Sequence, residues 1–177
     1  MATLYTLLIL WGLFFLQTNL YLSRLLGGKM PDLLIIAALY AGLVWGKEKG
    51  GLLGLGIGLV QDILSTELLG PHALAKGVIA WLAGEAQRHV LQFSFWVDAL
   101  FVGGAIVVDS LCFLFLSTLL LPELFPLELF LPTFFSRFLV TLLIGTPLLE
   151  GILHFDSRWK RRGERAVRGM DRYGSIS

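Results

Sequence analysis

The sequence predicts an all-α integral membrane protein, a polytopic bundle of six transmembrane helices. Hydrophobic residues make up 56% of its 177 residues and charged residues only 15%, whereas soluble domains carry about 25% charged residues. Several apolar runs also reach a length of about 18 residues, which suffices to cross a bilayer as a helix. These two observations leave little of the chain for a domain outside the lipid.

The predicted spans differ in length. The first carries no charged residue and lacks the basic start and cleavage site of a secretory signal, so we expect it to be retained. The second and third have fifteen residues each and rise about 22 Å, against a hydrocarbon core of about 30 Å. Either their ends are misplaced or they are broken segments near a site, and both explanations stay open. The six spans cover residues 3–22, 31–45, 50–64, 72–91, 97–121 and 133–153.

The basic residues predict that both termini lie in the cytoplasm. Seven of them lie between Arg158 and Arg172, in a tail formed by residues 154–177. An excess of Lys and Arg on the cytoplasmic side orients membrane proteins. We expect the tail both to enforce this orientation as a solvated end and to adhere to anionic lipid. The residues expected to contact such lipid are Arg158, Lys160, Arg161 and Arg162.

Residues 122–133 (PELFPLELFLPT) are predicted to form an interfacial loop. Three prolines interrupt this segment, and proline breaks a continuous helix. The segment carries two acidic residues and no basic one, which favours a position on the outer surface.

Small residues mark the third span as a packing element. Gly50, Gly54 and Gly58 recur every four residues and therefore share one helix face. Helices in membranes associate through close backbone approach, which small residues allow. Packing within the chain and packing between chains both remain open.

Polar side chains within the spans form the predicted site. Asp62, His72, Lys76 and Arg137 come from three spans and fall at similar depth in the outer half of the bundle. An unpaired charge there costs about 2.5 kcal/mol or more, so we expect Asp62 to pair with Lys76 or Arg137. Asp109 is expected to make a hydrogen bond between helices. Such a cluster either ties helices together or forms a polar cavity or docking surface. Its predicted members are Gln61, Asp62, Pro71, His72, Lys76, Asp109 and Arg137.

Catalytic signatures are missing from the sequence. It has no Cys or His pair at metal-ligand spacing, no HExxH motif, no phosphate-binding glycine loop and no GxSxG turn. We therefore expect no enzyme, no catalytic residue, no metal and no cofactor. A nucleic-acid role is also not expected for a short basic tail tethered to a membrane.

Residues 31–84 carry an ordered set of motifs. Pro31 and Asp32 open a span, a glycine-rich lead precedes the GLVQD motif of residues 58–62, and the LGPHAL motif follows at residues 69–74. These elements occur in order and at matched spacing, which is more specific than hydropathy alone. In them the sequence resembles the rod shape-determining MreD family of bacteria.

The resemblance implies a non-enzymatic, multi-pass subunit of the bacterial cell-elongation complex in the cytoplasmic (inner) membrane. Such proteins bind MreC and work beside MreB, the RodA glycosyltransferase and its partner transpeptidase in lateral peptidoglycan synthesis. The family implies a fold similar to the six-helix substrate-binding subunits of energy-coupling-factor transporters. A small-molecule (vitamin) carrier subunit is therefore the alternative function.

Overall fold

Helices account for nearly all of the residues that the computed structural model describes, which are residues 2–18, 31–65, 69–87, 94–120 and 127–174. No strand occurs in these ranges, so the predicted all-α class is confirmed. The helices are α1 (Ala2–Gln17), α2 (Leu33–Ser65), α3 (Pro71–Ala86), α4 (Phe95–Leu120) and α5 (Leu127–Gly174).

Two of the described helical segments are long and apolar enough to cross a membrane, namely Phe95–Leu119 in α4 and Phe134–Asp156 in α5. Thr6–Gln17 in α1 is equally apolar in character but shorter. Large apolar side chains on these helices are strongly exposed, among them Leu100 (76%) and Leu143 (73%). Contiguous exposed apolar surface of this kind suits contact with lipid or with another protein.

A turn at Gly46 divides α2 into two segments, residues 33–45 and 47–65. Gly46 has φ 76° and ψ 178°, a conformation that glycine adopts without steric cost. A Cβ added to Gly50 would lie 2.6 Å from the Cα of Gly42, although residues eight apart in a straight helix are separated by about 12 Å. The two segments therefore fold back on each other. The turn lies between the second and third predicted spans.

The second segment of α2 packs against α3 with backbone touching backbone. A Cβ on Gly54 would collide with the carbonyl oxygen of Lys76, and one on Gly58 with the carbonyl oxygen of His72. Only glycine, which has no Cβ, allows the two backbones to approach this closely. These contacts fix the positions of His72 and Lys76 along α3.

The first segment of α2 lies at the centre of the bundle. Ile35, Ile36 and Tyr40 have no exposed surface. They belong to one apolar cluster that also includes Ile106 of α4 and Leu149 of α5. A short central helix is thus surrounded by the longer ones.

The helix ends differ from the predicted span ends at several points. The described helix α5 begins at Leu127, so the predicted loop is wrong for residues 127–133. Pro132 lies inside α5, because a single lost hydrogen bond is tolerated in an apolar helix with packed neighbours. The backbone of α5 continues to Gly174, so the basic segment of the tail is helical. Residues 19–22 and 88–91 of the predicted spans lie outside the described residues.

Candidate functional site

The start of α2 is built around Asp32. Its Oδ1 accepts hydrogen bonds from the backbone amides of Leu34 (3.1 Å) and Ile35 (3.2 Å), the usual role of an aspartate at a helix N-terminus. The amide of Asp32 donates to Thr141 Oγ1 of α5 at 3.0 Å, and the next amide donates to Gln17 Oε1 of α1 at 2.8 Å. Helices α1 and α5 thus satisfy donors at the start of the central helix.

Asp62 has the same role for α3, acting from the end of α2. Its carboxylate accepts hydrogen bonds from the amides of Gly70 (2.9 Å), His72 (3.2 Å) and Ala73 (3.0 Å). Pro71 stands among them and has no amide hydrogen to donate. Gly70 has φ 119°, which disfavours a side chain at this position. The carboxylate also lies at the positive end of the α3 dipole, where a negative charge is stabilising.

The predicted ion pair between Asp62 and Lys76 or Arg137 is therefore wrong. Depth along the helices correctly suggested that these residues are near neighbours, but the backbone amides of α3 are closer partners for the carboxylate. Asp62 is 2% exposed, and three amide donors compensate for its burial.

Lys76 lies at the centre of a buried ion cluster. Its Nζ is 3.0 Å from Asp109 Oδ1 and 3.4 Å from Asp32 Oδ2. Lys76 has no exposed surface and both aspartates are 1% exposed. Arg137 donates from Nη2 to Asp32 Oδ2 and lies 3.7 Å from Asp109 Oδ2. Two positive and two negative charges therefore balance in the interior of the bundle.

His72 joins this ion cluster to the capped start of α3. Its Nδ1 is 3.3 Å from Asp109 Oδ1, and its ring stacks on Phe113 with centroids 5.4 Å apart. Its backbone amide is held by Asp62. The imidazole therefore couples the carboxylate of α4 to the turn that precedes α3.

Each of four structural elements contributes to the ion cluster. Asp32 precedes α2, His72 and Lys76 belong to α3, Asp109 to α4 and Arg137 to α5. Removal of one partner from a buried ion pair costs about 3–5 kcal/mol, so the cluster holds the four elements in one arrangement. The side chain of Arg137 is 34% exposed, so the ion cluster reaches the protein surface at this residue.

The remaining predicted members lie around this cluster. Pro71 is the first residue of α3, beside the amides that Asp62 binds. Gln61 is half-buried, and its Oε1 accepts no hydrogen bond from the described residues. Gly54 and Gly58 contact the backbone of Lys76 and His72 in the same chain.

Asp32 is the functional residue that the sequence argument did not place in the site. A Pro-Asp pair directly before an apolar run is an N-cap signature, and this signal was present. The N-cap signature predicts that Asp32 binds the amides of its own helix. It does not predict that the second carboxylate oxygen of Asp32 contacts Lys76 in α3.

Comparison with known proteins gives one match. A family model described as rod shape-determining protein MreD matches residues 1–153. The matched region contains the whole ion cluster and both helix caps, so the resemblance that residues 31–84 carry is confirmed over a longer stretch. No curated protein and no solved structure matches the chain.

Proposed function

The chain belongs to the MreD family of rod shape-determining membrane proteins, and we propose that it is a non-enzymatic scaffold of the bacterial cell-elongation complex. In this proposal it spans the cytoplasmic membrane several times with both termini in the cytoplasm. It binds MreC and supports lateral peptidoglycan synthesis together with RodA, its partner transpeptidase and MreB.

The buried ion cluster is the observation that supports a scaffold. Its carboxylates, its two cations and its imidazole are engaged with one another or with helix amides. Charged groups that pair with one another in this way fix the positions of the helices. A bundle with fixed helices presents a rigid surface to a partner. A reactive centre would instead aim such groups into an open cavity.

Arg137 is the cluster residue best placed to respond to a partner. Its side chain is the most exposed in the ion cluster at 34%, against 8% or less for the other members. A partner that docks over it would strengthen its pairing with Asp32 by excluding water. We propose that MreC contacts this part of the surface.

Co-purification with MreC tests both parts of this proposal. Arg137→Lys keeps the charge balance but loses the guanidinium whose Nη2 lies near both carboxylates. We expect it to retain several-fold less MreC than the wild type while keeping its thermal unfolding midpoint within a few degrees. The matched control is Lys47→Arg, since Lys47 forms a half-exposed pair with Glu85 at the other end of α3.

Two results would contradict the proposal in different ways. A wild-type protein that never retains MreC would refute the partner role. Equal retention by the wild type and Arg137→Lys would leave the partner role intact but refute the docking position.

Two apolar cavities of the bundle do not favour the vitamin-carrier alternative. One cavity of 330 Å³ lies among α2, α3 and α4, and a groove of 690 Å³ lies between α1 and α2. Apolar side chains and glycines line both, whereas a site for a polar ligand needs convergent polar groups. Saturable binding of a vitamin to the purified protein would reverse this preference.

We also propose that the helical extension of α5 lies on anionic lipid through its basic residues. Each basic residue near such a surface contributes about 1 kcal/mol. Truncation after residue 157 should weaken binding to vesicles that contain phosphatidylglycerol, measured against neutral vesicles.

A further inference from the structure

Asp98, in the first turn of α4, is a buried carboxylate without a partner among the described residues. Its side chain is 1% exposed, and neither carboxylate oxygen forms a hydrogen bond with any residue of the described ranges. A carboxylate removed from water without a hydrogen bond or an opposite charge is strongly destabilising. The charge at this position must therefore be compensated, by a bound cation or by a proton.

The register between α4 and α5 shows what faces Asp98. A Cβ on Gly145 of α5 would lie 3.5 Å from Val102 Cγ1 of α4. Because Asp98 precedes Val102 by one turn in α4, it faces the part of α5 that follows Gly145. Glu150 lies on this part of α5, five residues after Gly145.

A second buried polar group without a partner lies on the same part of α5. Thr146 is 2% exposed, and its hydroxyl oxygen has no hydrogen-bond partner among the described residues. It precedes Glu150 by one turn and so shares its helix face. The register therefore places Thr146 and Glu150 on the part of α5 that faces Asp98.

We propose that Asp98, Thr146 and Glu150 bind a hard metal cation. Oxygen-only ligands suit alkali and alkaline-earth ions rather than softer metals. Glu150 is exposed and borders an open cavity of 390 Å³, so an ion can reach its carboxylate through that cavity. The residues come from two helices with no regular spacing, so metal-ligand motifs do not reveal them. The site is independent of the proposed binding of MreC.

Thermal unfolding of the full-length protein in detergent tests this site. The reference buffer contains N-methylglucamine chloride, and NaCl or MgCl₂ replaces it at constant ionic strength. A cation that binds only the folded state should raise the midpoint by about 3–5 °C for each tenfold increase above its dissociation constant. The sodium and magnesium arms show which kind of ion binds.

Three variants decide whether a response comes from this site. Asp98→Asn and Glu150→Gln should each abolish the response, and Asp98→Asn should also raise the midpoint in N-methylglucamine because it removes an uncompensated charge. Glu150 is exposed, so Glu150→Gln still tests the site if Asp98→Asn fails to fold. Glu48→Gln, an exposed residue of α2, is the control and should respond as the wild type does.

The proposal is overturned if neither cation shifts the wild-type midpoint. It is equally overturned if both site variants keep the full response. A midpoint that changes with pH but with neither metal would assign the site to a proton.

Discussion

Asp98 and Asp109 show how one helix uses the same residue in two ways. Both belong to α4, both are 1% exposed, and their spacing of eleven residues places them on nearly the same helix face. Asp109 lies 3.0 Å from Lys76 and 3.3 Å from His72. Asp98 has no such partner within the described residues.

The difference shows that burial alone does not identify a functional carboxylate. At Asp109 the protein supplies its own cations, so the charges balance and the cluster braces four elements. At Asp98 the facing part of α5 carries a second acid and a hydroxyl and no cation among the described residues. The balanced charges at Asp109 therefore hold helices together, whereas the unbalanced carboxylate at Asp98 is the basis of the proposed cation site.

The largest expected effect comes from removing the central cation of the balanced cluster. Lys76→Met keeps the length of the side chain but leaves Asp32 and Asp109 with Arg137 and the His72 imidazole as their remaining partners. We expect a loss of about 3–5 kcal/mol in the free energy of unfolding, measured by denaturant titration in detergent.

Lys47→Met is the matched control for this substitution. Lys47 pairs with Glu85 at 3.1 Å, but the two side chains are 29% and 35% exposed. A pair open to solvent contributes about 1 kcal/mol or less. Similar losses for the two methionine variants would show that burial does not distinguish the pairs.

The next effect tests how the balanced cluster is positioned. Gly58→Ala should destabilise the protein by about 1–3 kcal/mol, because the new Cβ collides with the carbonyl oxygen of His72. Gly56→Ala, two residues earlier in α2, has open space around its added Cβ and should be neutral or slightly stabilising. Thermal unfolding of both variants measures the difference, and equal midpoints would disprove the close approach of α2 and α3.

The smallest effect concerns the cap of α3. Asp62→Asn keeps one acceptor oxygen but loses the negative charge at the helix N-terminus, so we expect a loss of about 1–2 kcal/mol. Hydrogen exchange should accelerate at the amides of His72 and Ala73. Unchanged exchange at these amides would show that Asp62 is not their acceptor.

The sequence was sufficient for the all-α class, the family and the convergence of His72, Lys76 and Arg137. Helix depth can be estimated from residue numbers alone, because the rise per residue is constant. The direction in which a side chain points cannot be estimated from residue numbers. For this reason Asp62 was assigned to the wrong partner and Asp32 was overlooked. The contrast between Asp98 and Asp109 also depends on facing direction, since only the packing of α4 against α3 and α5 separates them.

The most direct test of this account compares Asp98→Asn with Asp109→Asn by thermal unfolding in N-methylglucamine chloride. The two changes are chemically identical, on one helix and at equal burial. We predict that Asp109→Asn lowers the midpoint, because Lys76 loses its closest carboxylate, and that Asp98→Asn raises it. Midpoints that move in the same direction by the same amount would contradict the distinction between a balanced cluster and an unbalanced one.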